Sequence, residues 1–223
     1  MTDVLHDGIL DVPVDTSAGL IALTGDVELL CRRTDEERPA LLVLRLGGDG
    51  EWPGPVGVHE VNKWERALRR LERLDVLTVA VADGACGPAA VEILFAVDMR
   101  AGLAGATLRL AAGADGAWPG MGVYRLAERL GPAAARRLLL ATDLGTLSAT
   151  EALHHGLLDE VVADLAARLA GLHRAAAGRA DVWMRRSLLL SAGQTPFEVA
   201  LGTHLAACDR VLRSDRAADG DAA

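Results

Sequence analysis

The chain has 223 residues, 51% of them hydrophobic but only 3% aromatic, and a formal net charge of −8. That length is enough for one domain with a sizeable core, built here from Ala, Leu and Val. The acidic balance leaves no basic stripe for nucleic acid: Arg69, Arg70 and Arg73 alternate with Glu65, Glu72 and Asp75, which reads as a solvated helix face. Cys31, Cys86 and Cys208 are odd in number and far apart. They form neither a disulfide framework nor a metal-ligand spacing, and they fit a reducing compartment. The start at Met1 has no signal-peptide pattern, and no apolar run reaches the ~20 residues that span a membrane. A cytoplasmic protein is expected.

Four short apolar runs are each closed by a Gly/Asp turn and read as buried strands. They are 20–23 before Thr24-Gly25-Asp26, 41–46 before Gly47-Gly48-Asp49-Gly50, 77–81 before Asp83-Gly84, and 106–110 before a Gly-rich loop. Between them Val58, Val61, Trp64, Leu68 and Leu71 mark one helix face, and Val91, Leu94 and Phe95 another. Strands alternating with helices predict an α/β class. The second half reads as helical, over 124–130, 133–140, 165–177 and 196–212. Ser148 opens a capping box with Glu151, and that helix is expected to end at Gly156. The tail 214–223 is expected to be disordered.

One segment stands out chemically. Pro88 suits a first helical turn, and Ala89-Ala90-Val91-Glu92-Ile93-Leu94-Phe95-Ala96-Val97 follows, apolar except for Glu92. A helix that is apolar all round is buried, and a lone carboxylate in it is costly unless paired or neutral. Burial raises its pKa and suits it to proton transfer. The plainer alternative is a Glu at the helix rim, or one paired with Arg100.

The run from 79 to 162 resembles the crotonase (enoyl-CoA hydratase/isomerase) superfamily. The matching pieces are Val79-Ala80-Val81-Ala82-Asp83-Gly84, Glu92 with Asp98, Pro119-Gly120-Met121-Gly122 and Arg125-Leu126. Leu147-Ser148-Ala149-Thr150-Glu151-Ala152 and Gly156-Leu157-Leu158-Asp159-Glu160-Val161-Val162 complete the set, in the family's order and near its spacing. The resemblance implies a crotonase-like spiral of ββα units over 1–163, a C-terminal helical oligomerisation region over 164–213, and trimers or hexamers. It also implies an oxyanion hole, in which two backbone N–H groups hold a thioester oxygen as it gains charge. By position the donors are Gly54, in Trp52-Pro53-Gly54-Pro55, and Ala89. Glu92 falls on the first catalytic glutamate of hydratases. The second falls on Ala112, with Asp115 the nearest acid.

Around these residues, Asp98 is expected to serve structure, and Trp52 and Trp118 to wall an acyl pocket or anchor loops. His59, His154 and His155 read as surface residues, as do Arg185 and Arg186 unless they meet coenzyme A phosphates. No G-x-G-x-x-G fingerprint or G-x-S-x-G elbow is present. The expected function is that of an enoyl-CoA hydratase/dehydratase-like enzyme. Coenzyme A would enter as part of the substrate, with no metal and no other cofactor. The short N-terminus, proline-rich loop and missing acid also resemble the small crotonase-like members of dihydroxyphenylglycine biosynthesis. That implies dehydration and aromatisation of a polyketide-derived CoA thioester to 3,5-dihydroxyphenylacetyl-CoA, beside a type III polyketide synthase. The alternatives are a non-catalytic accessory to such a synthase and a CoA-ester isomerase.

Overall fold

The structure, a computed structural model, describes residues 4–6, 8–110, 120–140, 145–177, 180–192 and 195–220. The chain opens with β1 (Val4–His6) and β2 (Ile9–Asp15), an antiparallel pair in which His6 faces Ile9 across a turn holding Gly8 at φ 78°. The helix α1 (Leu20–Glu37) follows. Its first turn occupies 20–23, so the strand expected there is corrected to helix. The physical reason is the period: Leu20, Leu23, Val27, Leu30, Cys31 and Thr34 are all buried at spacings of one, three and four. Thr24 and Thr34 fit this helix by donating their hydroxyls to the carbonyls of Leu20 (2.7 Å) and Leu30 (2.9 Å).

The remaining elements of the first unit are β3 (Leu41–Gly48), α2 (Val58–Glu72), β4 (Leu77–Cys86), α3 (Pro88–Leu94), β5 (Met99–Leu103) and β6 (Thr107–Arg109). After them come α4 (Met121–Leu130), α5 (Pro132–Leu140), β7 (Thr146–Ser148), α6 (Ala149–His154), β8 (Glu160–Val162) and α7 (Leu165–Ala176). The sheet runs β1-β2-β3-β4-β5-β8, parallel from β2 onward. On the side away from β3, strand β4 serves two partners: residues 79–82 pair with β5, and Ala85 and Cys86 pair with β6, which then pairs antiparallel with β7. One long strand that changes partner along its length turns the sheet into the expected spiral.

Strands β3 and β4 are buried on both faces, as parallel strands between layers must be. Leu42, Leu44, Leu46, Ala80 and Ala82 face the main core with α1, α2 and α3, while Leu41, Val43, Val79 and Val81 face a smaller cluster with Leu169 and Leu172 of α7. The capping box forms as expected, Ser148 accepting from the Glu151 N–H, and Gly156 takes φ 76° just past the end of α6. Compact units divide the chain at 1–175 and 176–223. The second contains α8 (Ala180–Ala192) and α9 (Phe197–Gly220), which continues through much of the tail expected to be disordered.

Asp98 is a structural residue. Its Oδ2 accepts from the backbone N–H (2.9 Å) and hydroxyl (2.8 Å) of the fully buried Thr78, and its own N–H donates to Thr78 Oγ1 at 2.9 Å. This clip ties the start of β4 to the entry of β5. Asp98→Ala strands two buried donors, so about 2–3 kcal/mol of stability should be lost. Asp98→Asn, which keeps an acceptor oxygen, should lose less. Denaturant midpoints of the two variants measure the difference, and equal losses would contradict this account.

Candidate active site

The site is built where β3 and β4 end. Helix α3 begins directly after β4, with Gly87 at its N-cap and Pro88 in its first turn. Gly87 donates its N–H to the carbonyl of Gly48 at 3.1 Å, tying the end of β3 to the start of the helix. A Cβ on Gly87 would stand 2.5 Å from Asp49 Oδ1 and 3.2 Å from Asp49 Cα, so any side chain here would displace the Asp49 carboxylate. Asp49 is fixed in turn by a bidentate contact with Arg109 on β6, and that guanidinium holds the Asp49 carboxyl below its ordinary value.

Ala89 is the second residue of α3, so its N–H belongs to the first turn and has no acceptor inside the helix. Gly54 lies in the loop between β3 and α2, in the left-handed region at φ 75°, where glycine carries no steric penalty. Glu92 sits one turn after Ala89 and is only 5% exposed. The structure thus carries Ala89 and Glu92 on one short helix, and places Gly54 two residues from Trp52, which contacts Glu92.

Glu92 is neither at a rim nor paired with Arg100. Arg100 pairs with Asp159, donates to the carbonyl of Gly156 at 3.0 Å, and lies over the Phe95 ring at 5.2 Å. The partners of Glu92 are two indoles. Trp64 Nε1 donates to Oε2 at 2.5 Å and Trp52 Nε1 to Oε1 at 3.4 Å, and the two rings meet edge to face, 5.2 Å between centroids. Burial pushes the Glu92 carboxyl up to about 7, against the hydrogen bond from Trp64. The Glu65 charge adds to the rise, while Trp52 and the Arg125 charge oppose it.

A second layer holds this arrangement. Arg125 of α4, 7% exposed, donates through Nε to Glu72 at 2.6 Å and through Nη1 to Glu65 at 2.8 Å, both on α2. Glu65 also accepts the N–H of Met121 at the start of α4 (3.1 Å). This clamp sets α4 across Glu92: a Cβ on Gly122 would stand 3.2 Å from Glu92 Cγ and 3.5 Å from its Oε1. The solvated face expected for Glu65 and Glu72 is corrected here. Glu72 is 8% exposed, because both acids are turned to a buried guanidinium.

Trp64 reads in the sequence only as an apolar face marker, and Trp52 only as a pocket wall or loop anchor. Their role at Glu92 went unread, although a buried indole N–H requires an acceptor and Glu92 is the lone acid of α3. His59 and His154 are exposed and His155 is half-buried. Ala112, Asp115 and Trp118 lie outside the described residues. Among the described residues, no three His, Cys, Asp or Glu side chains gather as a metal site, and no helix is long and apolar enough to cross a membrane.

No family model matches the chain. An enoyl-CoA hydratase from Amycolatopsis orientalis is 43% identical over 196 residues, covering 85% of this chain and 89% of that protein. Among solved structures, an enoyl-CoA hydratase from Bacillus anthracis superposes with a TM-score of 0.80 at 20% identity, over 95% of this chain and 90% of that one. A Thermobifida fusca YX protein solved in complex with CoA gives 0.74 at 20% identity, over 100% and 94%. These structures share the fold, and the Amycolatopsis relative carries the family with it: the chain belongs to the enoyl-CoA hydratase/isomerase (crotonase) superfamily.

Proposed function

We propose that this protein is an enoyl-CoA hydratase/dehydratase-type enzyme acting on a CoA thioester, with Glu92 as its acid–base group. The observation that carries the reading is a nine-tenths-buried carboxylate held by neutral donors, on a helix whose first turn offers the free N–H of Ala89. In the dehydration direction, Glu92 removes the proton α to the thioester carbonyl. The charge moves to the thioester oxygen, where the N–H groups of Ala89 and Gly54 receive it. Glu92, now protonated, returns that proton to the β-hydroxyl as the C–O bond breaks, water leaves, and the carboxylate is restored. One carboxylate serves both transfers, which suits a chain whose second acid position is Ala112. The lone acid and the proline-rich loop around Gly54 support a finer reading, in which the thioester is polyketide-derived and dehydration aromatises it to 3,5-dihydroxyphenylacetyl-CoA. The protein would then act in the cytoplasm beside a type III polyketide synthase. An accessory protein without turnover is the competing reading, and the Glu92 variant separates the two.

Glu92→Gln keeps the size of the side chain but cannot take a proton, and its single amide oxygen can accept from only one of the two indoles. Product formation from CoA thioesters, followed by mass spectrometry, should fall about 10²–10⁴-fold. Acetyl-CoA binding by calorimetry should be retained, and Asp115→Asn should cost less than about tenfold. Full activity in Glu92→Gln alongside a dead Asp115→Asn would reassign the acid. Full activity in both, while a partner synthase is still stimulated, would favour the accessory reading.

The same variant has a signature in stability. The folded carboxyl titrates near 7 and the unfolded one near 4.5. Folding is therefore helped by protonation, and that help is complete below the unfolded value and lost as pH rises through the folded one. Glu92→Gln should gain on the wild type between those two values, by on the order of 3 kcal/mol at about 1.4 kcal/mol per pH unit. Denaturation midpoints that stay parallel across this window would contradict the shift.

A homo-oligomer, trimer or hexamer, is proposed on the exposed apolar side chains of α9, among them Phe197, Leu201 and Leu205. Sedimentation at micromolar concentration should give more than one protomer, and a monomer there would contradict it.

A further inference from the structure

Glu92 has two carboxylate oxygens and two unequal donors. Trp64 is fully buried and its bond to Oε2 is short, 2.5 Å. The Trp52 bond to Oε1 is 3.4 Å, beyond the usual range for N–H···O. Oε1 is also the oxygen nearer Gly122, the α4 residue with no side chain to cover it. We propose that Trp64 is a positioning residue for proton transfer: its indole N–H fixes Oε2 and leaves Oε1 as the oxygen that exchanges the proton. This inference rests on the reading of Glu92 as the acid–base group.

The physical case runs through the neighbours of the carboxylate. Helix α3 brings no other charged side chain, since the rest of it is Pro, Ala, Val, Ile and Leu. From α2 comes Glu65, which disfavours ionisation; from α4 comes Arg125, which favours it. These two are bound to each other, so their effects at Glu92 oppose. From the β3–α2 loop comes only the long Trp52 bond. The Trp64 N–H is therefore the main force opposing burial, and indole is a donor only, with no acceptor to stabilise the protonated form. Trp64 can hold its line because its ring packs edge to face on Trp52 and α2 is clamped by Arg125.

Removing that N–H should raise the Glu92 titration by about one to two pH units, as expected for a hydrogen bond to a charged acceptor. The test is an infrared pH titration of the full-length protein, in which the difference between wild type and Glu92→Gln isolates the Glu92 carboxyl band. Trp64→Phe should move its midpoint upward, and Trp52→Phe should move it less. With crotonyl-CoA as probe, the rising limb of kcat/KM should follow, so that the rate at pH 7 drops roughly five- to fifty-fold and recovers at higher pH. Should Trp64→Phe fail to fold, benzothienylalanine at the same position keeps the ring shape and replaces the N–H by sulfur, and its midpoint decides. An unmoved midpoint, with Glu92→Gln inactive, overturns the role of Trp64 alone. A shifted midpoint beside a fully active Glu92→Gln overturns the acid–base reading and the positioning role with it.

Discussion

Among the described residues the carboxylate of Glu92 is buried with indole donors and no cation hydrogen-bonded to it, and the surrounding structure is arranged to keep it so. A guanidinium or ammonium within hydrogen-bond reach typically lowers a carboxyl pKa by about 1–3 units and makes it a weak base. Burial alone does the opposite and tends to leave the acid neutral. Two indole donors lie between these extremes. They satisfy the oxygens but add no charge, so the carboxyl titrates near neutrality, where it can both take and return a proton. The buried guanidinium of Arg125 is turned to Glu65 and Glu72 instead. The α2–α4 clamp therefore has two effects: it joins the helices, and it directs a guanidinium away from Glu92.

The backbone around this carboxylate is equally constrained. Helix α3 starts close against the end of β3 at Gly87, where Asp49 occupies the space a Cβ would need. Asp49 is in turn aimed by Arg109 from β6, the strand that pairs with the far end of β4. The change of partner along β4 thus fixes more than sheet shape. It brings Arg109, Asp49 and the first turn of α3 into one connected set, so that the N–H groups of that turn are held by the fold rather than by flexible side chains.

Much of this was legible in the sequence. The strands 41–46 and 77–81, the helix face from Val61 to Leu71, the capping box at Ser148 and the lone acid in α3 all follow from period, caps and composition, whereas Val58, expected on that face, is 87% exposed. The strand expected at 20–23 failed because a four-residue apolar window cannot distinguish a strand from a helical turn, and the longer period through Thr34 outweighs the Thr24-Gly25-Asp26 signal. The solvated face expected for Glu65 and Glu72 failed for another reason. Charge alternation within one helix says nothing of an arginine 53 residues further along the chain, and Arg125 reaches Glu72 from that distance. Trp52 and Trp64 lie 40 and 28 residues before Glu92, so a hydrogen bond joining them is a tertiary fact that no local pattern encodes.

Composition nonetheless held a clue of a different kind. With only four tryptophans, one tyrosine and two phenylalanines, this core is filled by aliphatic side chains. Large aromatic volume is not what such a core needs in general, since Leu and Val fill it elsewhere. Two of the four tryptophans nevertheless meet at one carboxylate. A leucine or phenylalanine at position 64 could supply comparable packing on α2, but neither carries an N–H. Where a sequence uses indole sparingly, a buried indole is best explained by its polar atom, and in this chain that atom points to Glu92.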